Sequence, residues 1–156
     1  MTTTTTKPQD AVAMLKADHA EVHAWFEEYE KLGDRANKSK IKLVAQICQA
    51  LTIHAQLEEE IFYPAVREAG KDKEEDMVDE AVVEHASAKD LIAQLEEMDP
   101  EDDLYDAKVK VLGELIEHHV EEEEEEMFPK ARKLKLDLVA LGEEMAMRRE
   151  ELAAAA

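Results

Sequence analysis

Two stretches of the chain carry metal-binding residue types in the same order. His54-x-x-x-Glu58-Glu59-Glu60-x-x-x-Pro64-x-x-Arg67 aligns with His119-x-x-x-Glu123-Glu124-Glu125-x-x-x-Pro129-x-x-Arg132 at a constant offset of 65 (119 − 54). Upstream, Asp18-His19 matches Glu84-His85 at an offset of 66 (85 − 19). The repeat therefore predicts two helical hairpins, each presenting one His and then His-x-x-x-Glu. Positions i and i+4 of a helix share a face, so His54 points with Glu58 and His119 with Glu123. That face is apolar: Ile47 and Leu51 precede His54, and Leu112 and Ile116 precede His119. His19 shares a stripe with Leu15, Val22 and Phe26, and His85 shares one with Ala81, Ala88 and Ile92. The run Glu121–Glu126 sweeps around every side of a helix, so one of its carboxylates must face the core. An unpaired charge there costs several kcal/mol, and a cation is the simplest partner for Glu123. Imidazole and carboxylate without thiolate suit iron, manganese or zinc, whereas calcium takes oxygen only. Four His and two Glu exceed a tetrahedral zinc site but suit two metal ions bridged by Glu58 and Glu123. Each ion then keeps an open position where dioxygen, peroxide or nitric oxide could bind.

The elements that must position these residues read as long helices. Pro8 and Asp10 precede a first block that runs to about Leu32, with Gly33 after its end. Ser39 is positioned to cap a second, which Gly70 ends. Lys71 to Glu75 form a charged connection to a third, which stops at Met98-Asp99-Pro100. A fourth begins around Asp103 with Leu104, Val111, Leu112, Leu115 and Ile116 as its stripe, and a fifth carries Leu138, Leu141, Met145 and Leu152. No segment alternates with period two, so the expected fold is all-α: an up-down-up-down four-helix bundle with an additional C-terminal helix. The expected division is a flexible N-terminus over 1–9, the bundle over 10–135, and an amphipathic helix with an alanine tail over 136–156. Counted from these boundaries, His19, His54, His85 and His119 stand at a similar height, about 14 to 16 residues from one end of the bundle.

The bulk composition excludes several functions. With 39 acidic and 19 basic residues among 156, the net charge is −20, which opposes nucleic-acid phosphates and anionic membrane surfaces. A hydrophobic content of 45% is too high for a disordered acidic chain. The one cysteine, Cys48, precludes an intramolecular disulfide and a thiolate zinc cluster, and reads as a small buried side chain. No run of about 18 apolar residues is present, no secretory segment follows the threonine tract Thr2–Thr6, and a soluble cytoplasmic protein is expected. Nucleophile-elbow and glycine-rich phosphate motifs are also missing.

Asp18-His19, His54-x-x-x-Glu58, Glu84-His85 and His119-x-x-x-Glu123, each in its own helix, closely resemble the hemerythrin-like (HHE) cation-binding domain family. Phe62-Tyr63-Pro64 and Met127-Phe128-Pro129 add to the resemblance, which covers roughly residues 10 to 135. It implies a bundle around two non-heme iron ions, oxo- and carboxylate-bridged, with His19, His54, Glu58, His85, His119 and Glu123 as ligands. The oxygen-carrying hemerythrins have a second histidine one turn after the third-helix ligand. Lys89 stands there in this chain, which weighs against reversible oxygen storage. The expected partner is a small molecule (dioxygen, peroxide or nitric oxide), bound for sensing, scavenging or buffering, with no nucleic acid or membrane. A diiron enzyme that decomposes peroxide or reduces nitric oxide is the first alternative, and an iron store or metal-dependent regulatory module is the second. His23, one turn after His19, is a candidate additional ligand; His118 reads as a surface residue; Tyr63 and Tyr105 are candidates to line the pocket.

Overall fold

The computed structural model describes residues 9–156, and within them every regular element is helical. The residues expected to form the flexible N-terminus lie, as far as Thr2–Pro8 and Met1 are concerned, outside the described residues. Helix α1 spans Ala11–Glu30, and Asp10 caps it by accepting the Ala13 amide at 2.8 Å. Helix α2 (Asn37–Leu57) continues through a π-helical segment, Glu58–Phe62, into α3 (Tyr63–Ala69). Helix α4 is Asp72–Glu96. Helix α5 (Tyr105–Glu122) continues through a second π-helical segment, Glu123–Met127, into α6 (Phe128–Lys133). Helix α7 is Leu138–Ala155, so the helix includes most of the alanine tail, and Asp137 caps it through the Ala140 amide.

Several boundaries move from their expected places for local reasons. Helix α2 starts at Asn37 without a side-chain cap, so Ser39 is inside the helix. The Lys71–Glu75 stretch is not a connection but the first turn of α4. Glu74 accepts the Lys71 amide at 3.1 Å, and acidic side chains there face the positive end of the helix. At the start of α5, Leu104 takes a left-handed conformation with φ 73°, is 66% exposed, and belongs to no apolar stripe. Val111 and Leu115 are likewise on the exposed flank of α5.

The bundle pairs α1 with α2 and α4 with α5, while α7 lies across α1 and α2. Gly142 permits that close docking, because a Cβ there would stand 2.5 Å from the Gln9 carbonyl oxygen. Met145 of α7 is fully buried, so the fifth helix covers the bundle itself. The core divides into two apolar clusters. One gathers Leu15, Leu57, Phe62, Val66, Phe128 and Met145; the other gathers Val22, Ile47, Leu51, Ile92, Tyr105 and Leu112. Along α1 the order is Leu15, His19, Val22, and along α2 it is Leu51, His54, Leu57. Each of the four inner histidines thus lies where its helix passes from one cluster to the other.

Candidate metal centre

Between the two apolar clusters the bundle buries a polar layer. His19, His54, Glu58, His85, His119 and Glu123 are each 8% exposed or less, and Glu58 is fully buried. Two groups of three have ligand atoms within 4.8 Å of one another: His19, His54 and Glu123, and Glu58, His85 and His119. The first hairpin supplies one histidine pair and the second hairpin the other, with ring centroids 4.9 and 4.8 Å apart. The carboxylates join the pairs. Glu58 Oε1 stands 3.2 Å from His54 Nε2 and 3.1 Å from His85 Nε2. Glu123 Oε1 stands 3.2 Å from His19 Nε2 and 3.1 Å from His119 Nε2.

The layer is unfinished as a protein-only network. Both nitrogens of His19, His54 Nε2, both oxygens of Glu58 and Glu123 Oε1 are buried without a hydrogen-bond partner. Buried polar atoms are nearly always satisfied, and unpaired ones cost about 1–3 kcal/mol each. The inward-facing ones converge on one another as a donor set of imidazole nitrogen and carboxylate oxygen, which could hold metal ions.

On the outer side of the same histidines stand further carboxylates, two within hydrogen-bond distance and two farther off. His54 Nδ1 meets Asp18 Oδ2 at 2.9 Å, and His119 Nδ1 meets Glu84 Oε1 at 3.0 Å. His19 Nδ1 and His85 Nδ1 face Glu124 and Glu59, each at 3.6 Å. A carboxylate behind a ligating imidazole fixes its tautomer and raises its basicity. Asp18 and Glu84 serve the histidine of their own hairpin, whereas Glu59 and Glu124 serve that of the other. Arg149 of α7 in turn donates to Asp18, and Lys89 donates to Glu59 at 2.7 Å. Lys89 therefore turns outward to an acid and not into the layer.

Electrostatics holds the metal-free layer in a definite charge state. Burial pulls the His54 imidazole down, but the charge on Glu58 3.2 Å away, the hydrogen bond to Asp18 and the charge on Glu123 push it up to about 10. Burial likewise opposes charge on His119, yet the nearby carboxylates of Glu123 and Glu58 push it up to about 12. Glu58 is drawn up by burial but held well below the usual carboxylate range by the charge on His54, together with the neighbouring His119. In the absence of metal, protons on imidazole stand in for cations.

Tyr63 joins this layer and Tyr105 does not. The Tyr63 hydroxyl donates to Glu123 Oε2 at 2.9 Å and lies 3.2 and 3.3 Å from His85 Nε2 and His119 Nε2. Burial, with the charges of Glu58 and Glu123 added, holds its pKa well above the usual phenol value, so it stays a donor. Its repeat counterpart is Phe128, whose ring stacks on His19 at 5.8 Å and can offer no hydrogen bond. The two halves of the layer thus differ by one hydroxyl. Tyr105 is buried in the other apolar cluster at the first residue of α5, fourteen residues and so about 21 Å from His119 along the helix. His23 also stays outside: its side chain is 62% exposed and bonded to Glu27. His118 is exposed, and Cys48 is buried with its thiol pushed up to about 12, chiefly by burial.

The two π segments were not expected from periodicity, although Pro64 and Pro129 mark them. A proline lacks the amide for an α-helical bond and crowds the carbonyl four residues back. The chain widens instead: the Tyr63 amide bonds the Glu58 carbonyl and the Phe128 amide bonds the Glu123 carbonyl, five residues back in each case. In an unbroken α-helix residues five apart diverge by about 140°. The wider turn lets Glu58 and Tyr63 both face inward.

A cavity of about 40 Å³ adjoins the four histidines and is walled by Leu51, Ala88, Ile92 and Ile116. A much larger groove of about 910 Å³ opens between α1 and α5 and reaches the layer only at His19.

The chain is similar to known proteins in sequence and in fold. The chain is 31% identical over 121 residues to a DNA nickase of Nostoc sp., a match covering 76% of this chain and 32% of that protein. The chain therefore spans about a third of the length of that curated relative. The crystal structure of a hemerythrin HHE cation binding domain-containing protein from Mycobacterium kansasii superposes with a TM-score of 0.79 at 23% identity, covering 94% of this chain and 89% of that one. That likeness establishes the fold, including the additional C-terminal helix. The family described as hemerythrin HHE cation binding domain matches residues 10–131, which contain the whole polar layer, and the chain belongs to that family.

Proposed function

We propose that the buried layer holds two iron ions and binds dioxygen or a related small oxidant, for sensing, scavenging or buffering. His19 and His54 would hold one ion and His85 and His119 the other, with Glu58 and Glu123 bridging. The observation that carries this reading is the convergence of orphaned ligand atoms into two three-residue groups. Iron there would supply a redox couple and open coordination positions for a small ligand. Where the small cavity meets the four histidines, the chain's own part is to limit the size of what can enter. A cavity of about 40 Å³ with apolar walls suits a di- or triatomic ligand and is too small for an organic substrate or a mineral store. Metal analysis of protein from iron-supplied cells tests the reading, together with spectra of the oxidised protein with and without azide. Two irons per chain and an azide-sensitive near-ultraviolet band are expected; fewer than one iron and no such band would sink it.

The Tyr63 hydroxyl favours a second reading, the enzymatic one. It is a proton donor held among Glu123, His85 and His119, where decomposition of peroxide or reduction of nitric oxide needs a proton delivered. Rapid oxygen evolution from peroxide, lost on His119→Ala and slowed on Tyr63→Phe with iron retained, would favour catalysis over binding. The nickase activity named for the Nostoc relative is not carried over, because a net charge of −20 opposes a DNA backbone.

A further inference from the structure

The repeat that builds the buried layer also shows where its two halves part company on the outside. In the first half, Asp18 Oδ2 bonds His54 Nδ1 and also accepts from the Arg149 guanidinium of α7, which neutralises it. Asp18 corresponds to Glu84, which bonds His119 Nδ1 in the same way. Among the described residues, no lysine or arginine comes within ion-pair distance of Glu84. Its other oxygen instead faces His118 Nε2 at 3.8 Å, and His118 Nε2 stands 3.1 Å from Glu122 Oε1. The repeat counterparts of His118 and Glu122 are Ile53 and Leu57, both packed in the apolar cluster beneath α7. One half closes this corner with a cation and apolar side chains; the other presents an imidazole and two carboxylates.

Those three residues form a ligand set of their own. His118-x-x-x-Glu122 is the inner His119-x-x-x-Glu123 pair shifted by one residue, so it presents the same i, i+4 donors about 100° around α5. Glu84 from α4 supplies the third ligand, and donor atoms of all three lie within 4.8 Å of one another. Beside them an acidic pocket lined by Glu80, Glu84, Glu122 and Glu126 runs inward to Glu123. Glu123 is 1% exposed and its Oε1 is turned to His19 and His119, so the pocket stops at the wall of the inner layer. One nitrogen and two carboxylates suit a borderline divalent transition metal, and the set lacks the six or more oxygens that calcium requires.

We infer that Glu84, His118 and Glu122 form a third divalent-cation site, on the surface and separate from the two-ion layer, which a manganese-, iron- or zinc-like ion occupies. The ion takes the place that the Arg149 guanidinium holds in the first half. It shares Glu84 with His119, so the outer and inner sites are linked through one carboxylate. The site rests on the proposed centre only for that shared residue, and the His118 side chain pairs with Glu84 and Glu122 and with no member of the inner group.

The test is titration of the iron-loaded full chain with Mn²⁺, following the free-ion electron paramagnetic resonance signal. The wild type is expected to bind one Mn²⁺ per chain beyond the ions already present. Glu122→Gln should weaken that binding about tenfold or more, since loss of a direct ligand exceeds the cost of an outer-shell change. His118→Arg, which copies the first half's cation, should abolish it and leave the fold intact by thermal melting. Equal Mn²⁺ binding by wild type and both variants, or none by the wild type, would overturn the inference. If the inner layer held no iron, Mn²⁺ could fill it as well. The wild type would still exceed the His118→Arg variant by one ion, so the two readings fail separately.

Discussion

Metal-free protein and metal-loaded protein should differ in protons, and the number can be worked from the layer. With His54 at about 10 and His119 at about 12, both imidazoles are almost fully protonated at pH 8 in the metal-free state. A metal ion needs the neutral ring, so loading must expel both protons. About two protons per chain should appear at pH 8 on binding two divalent ions. Calorimetric titration with Mn²⁺ or Fe²⁺ in two buffers of different ionisation enthalpy measures the number directly. The same shifts fix a pH dependence of stability. Both histidines have pKa values raised above the ordinary value of about 6.5. Their contribution is therefore complete below pH 6.5 and is lost as pH rises from there towards 10, first through His54. Glu58 is shifted the other way, so its contribution is present above the ordinary carboxylate value and lost as pH falls. The metal-free protein should thus be most stable between about pH 5 and 6.5 and weaken into the alkaline range. For His54 the shift corresponds to a ceiling on the order of 4–5 kcal/mol, and the Glu58 ion pair it reflects is counted once. Loaded protein, whose cations do not titrate away, should keep its midpoint across pH 7–10. Fewer than half a proton released at pH 8, or parallel alkaline profiles with and without metal, would refute the assignment of imidazolium to the empty layer.

Three further outcomes follow from single contacts. Tyr63→Phe removes the hydroxyl bonded to Glu123 and should cost the metal-free protein about 1.5–3 kcal/mol by urea denaturation, the usual worth of a hydrogen bond to a charged group. Gly142→Ala would gain helix propensity in α7 but drive a Cβ to 2.5 Å from the Gln9 carbonyl. A net loss of about 1–2 kcal/mol is expected, read as a lower melting temperature, and a rise would show that α7 docks differently. Leu104→Asn replaces an exposed side chain held at φ 73° by one that tolerates that region and can cap α5. It should stabilise by about 0.5–1 kcal/mol in the same melt.

The fold class was legible because four apolar stripes at helical spacing and the breakers between them agree, and because a repeat cannot place one hairpin without placing the other. The six inner residues were legible for the same reason: a histidine and an i+4 glutamate on an apolar face leave few ways to bury both. What the spacing hid were changes of phase. Periodicity assumes a constant 100° step, so it carried α2 and α5 straight through Pro64 and Pro129 and gave no reason for Tyr63 to share a face with Glu58. It also made Tyr105 a candidate to line the pocket, although fourteen residues of helix separate its height from that of His119. Leu104 was counted as apolar core because the left-handed residue at its position is a backbone property that its type does not announce. The outer carboxylates had a usable signal: Asp18 and Glu84, and Glu59 and Glu124, occupy matching places in the two halves. Arg149 had none, since nothing in the repeat points to a helix outside it.

The glutamate runs now have a physical explanation that a charge count does not supply. In each half three neighbouring carboxylates serve three different depths. Glu58 and Glu123 face the layer; Glu59 and Glu124 stand behind the histidines of the opposite hairpin; Glu60 reaches out to Arg148 at 2.8 Å, while Glu122 turns to His118 at 3.1 Å. A helix that turns by about 100° per residue can serve an inner ligand, its support and the surface only if it places the same residue type at successive positions. The π segments begin at the inner glutamate of each run, where the turn widens and that division of depth is set. Local acidity in this chain is therefore a consequence of building a layered cation site on a single strand of helix, and the cost of bringing so many like charges together is offset only when cations, whether protons, arginine, lysine or metal ions, are interleaved among them.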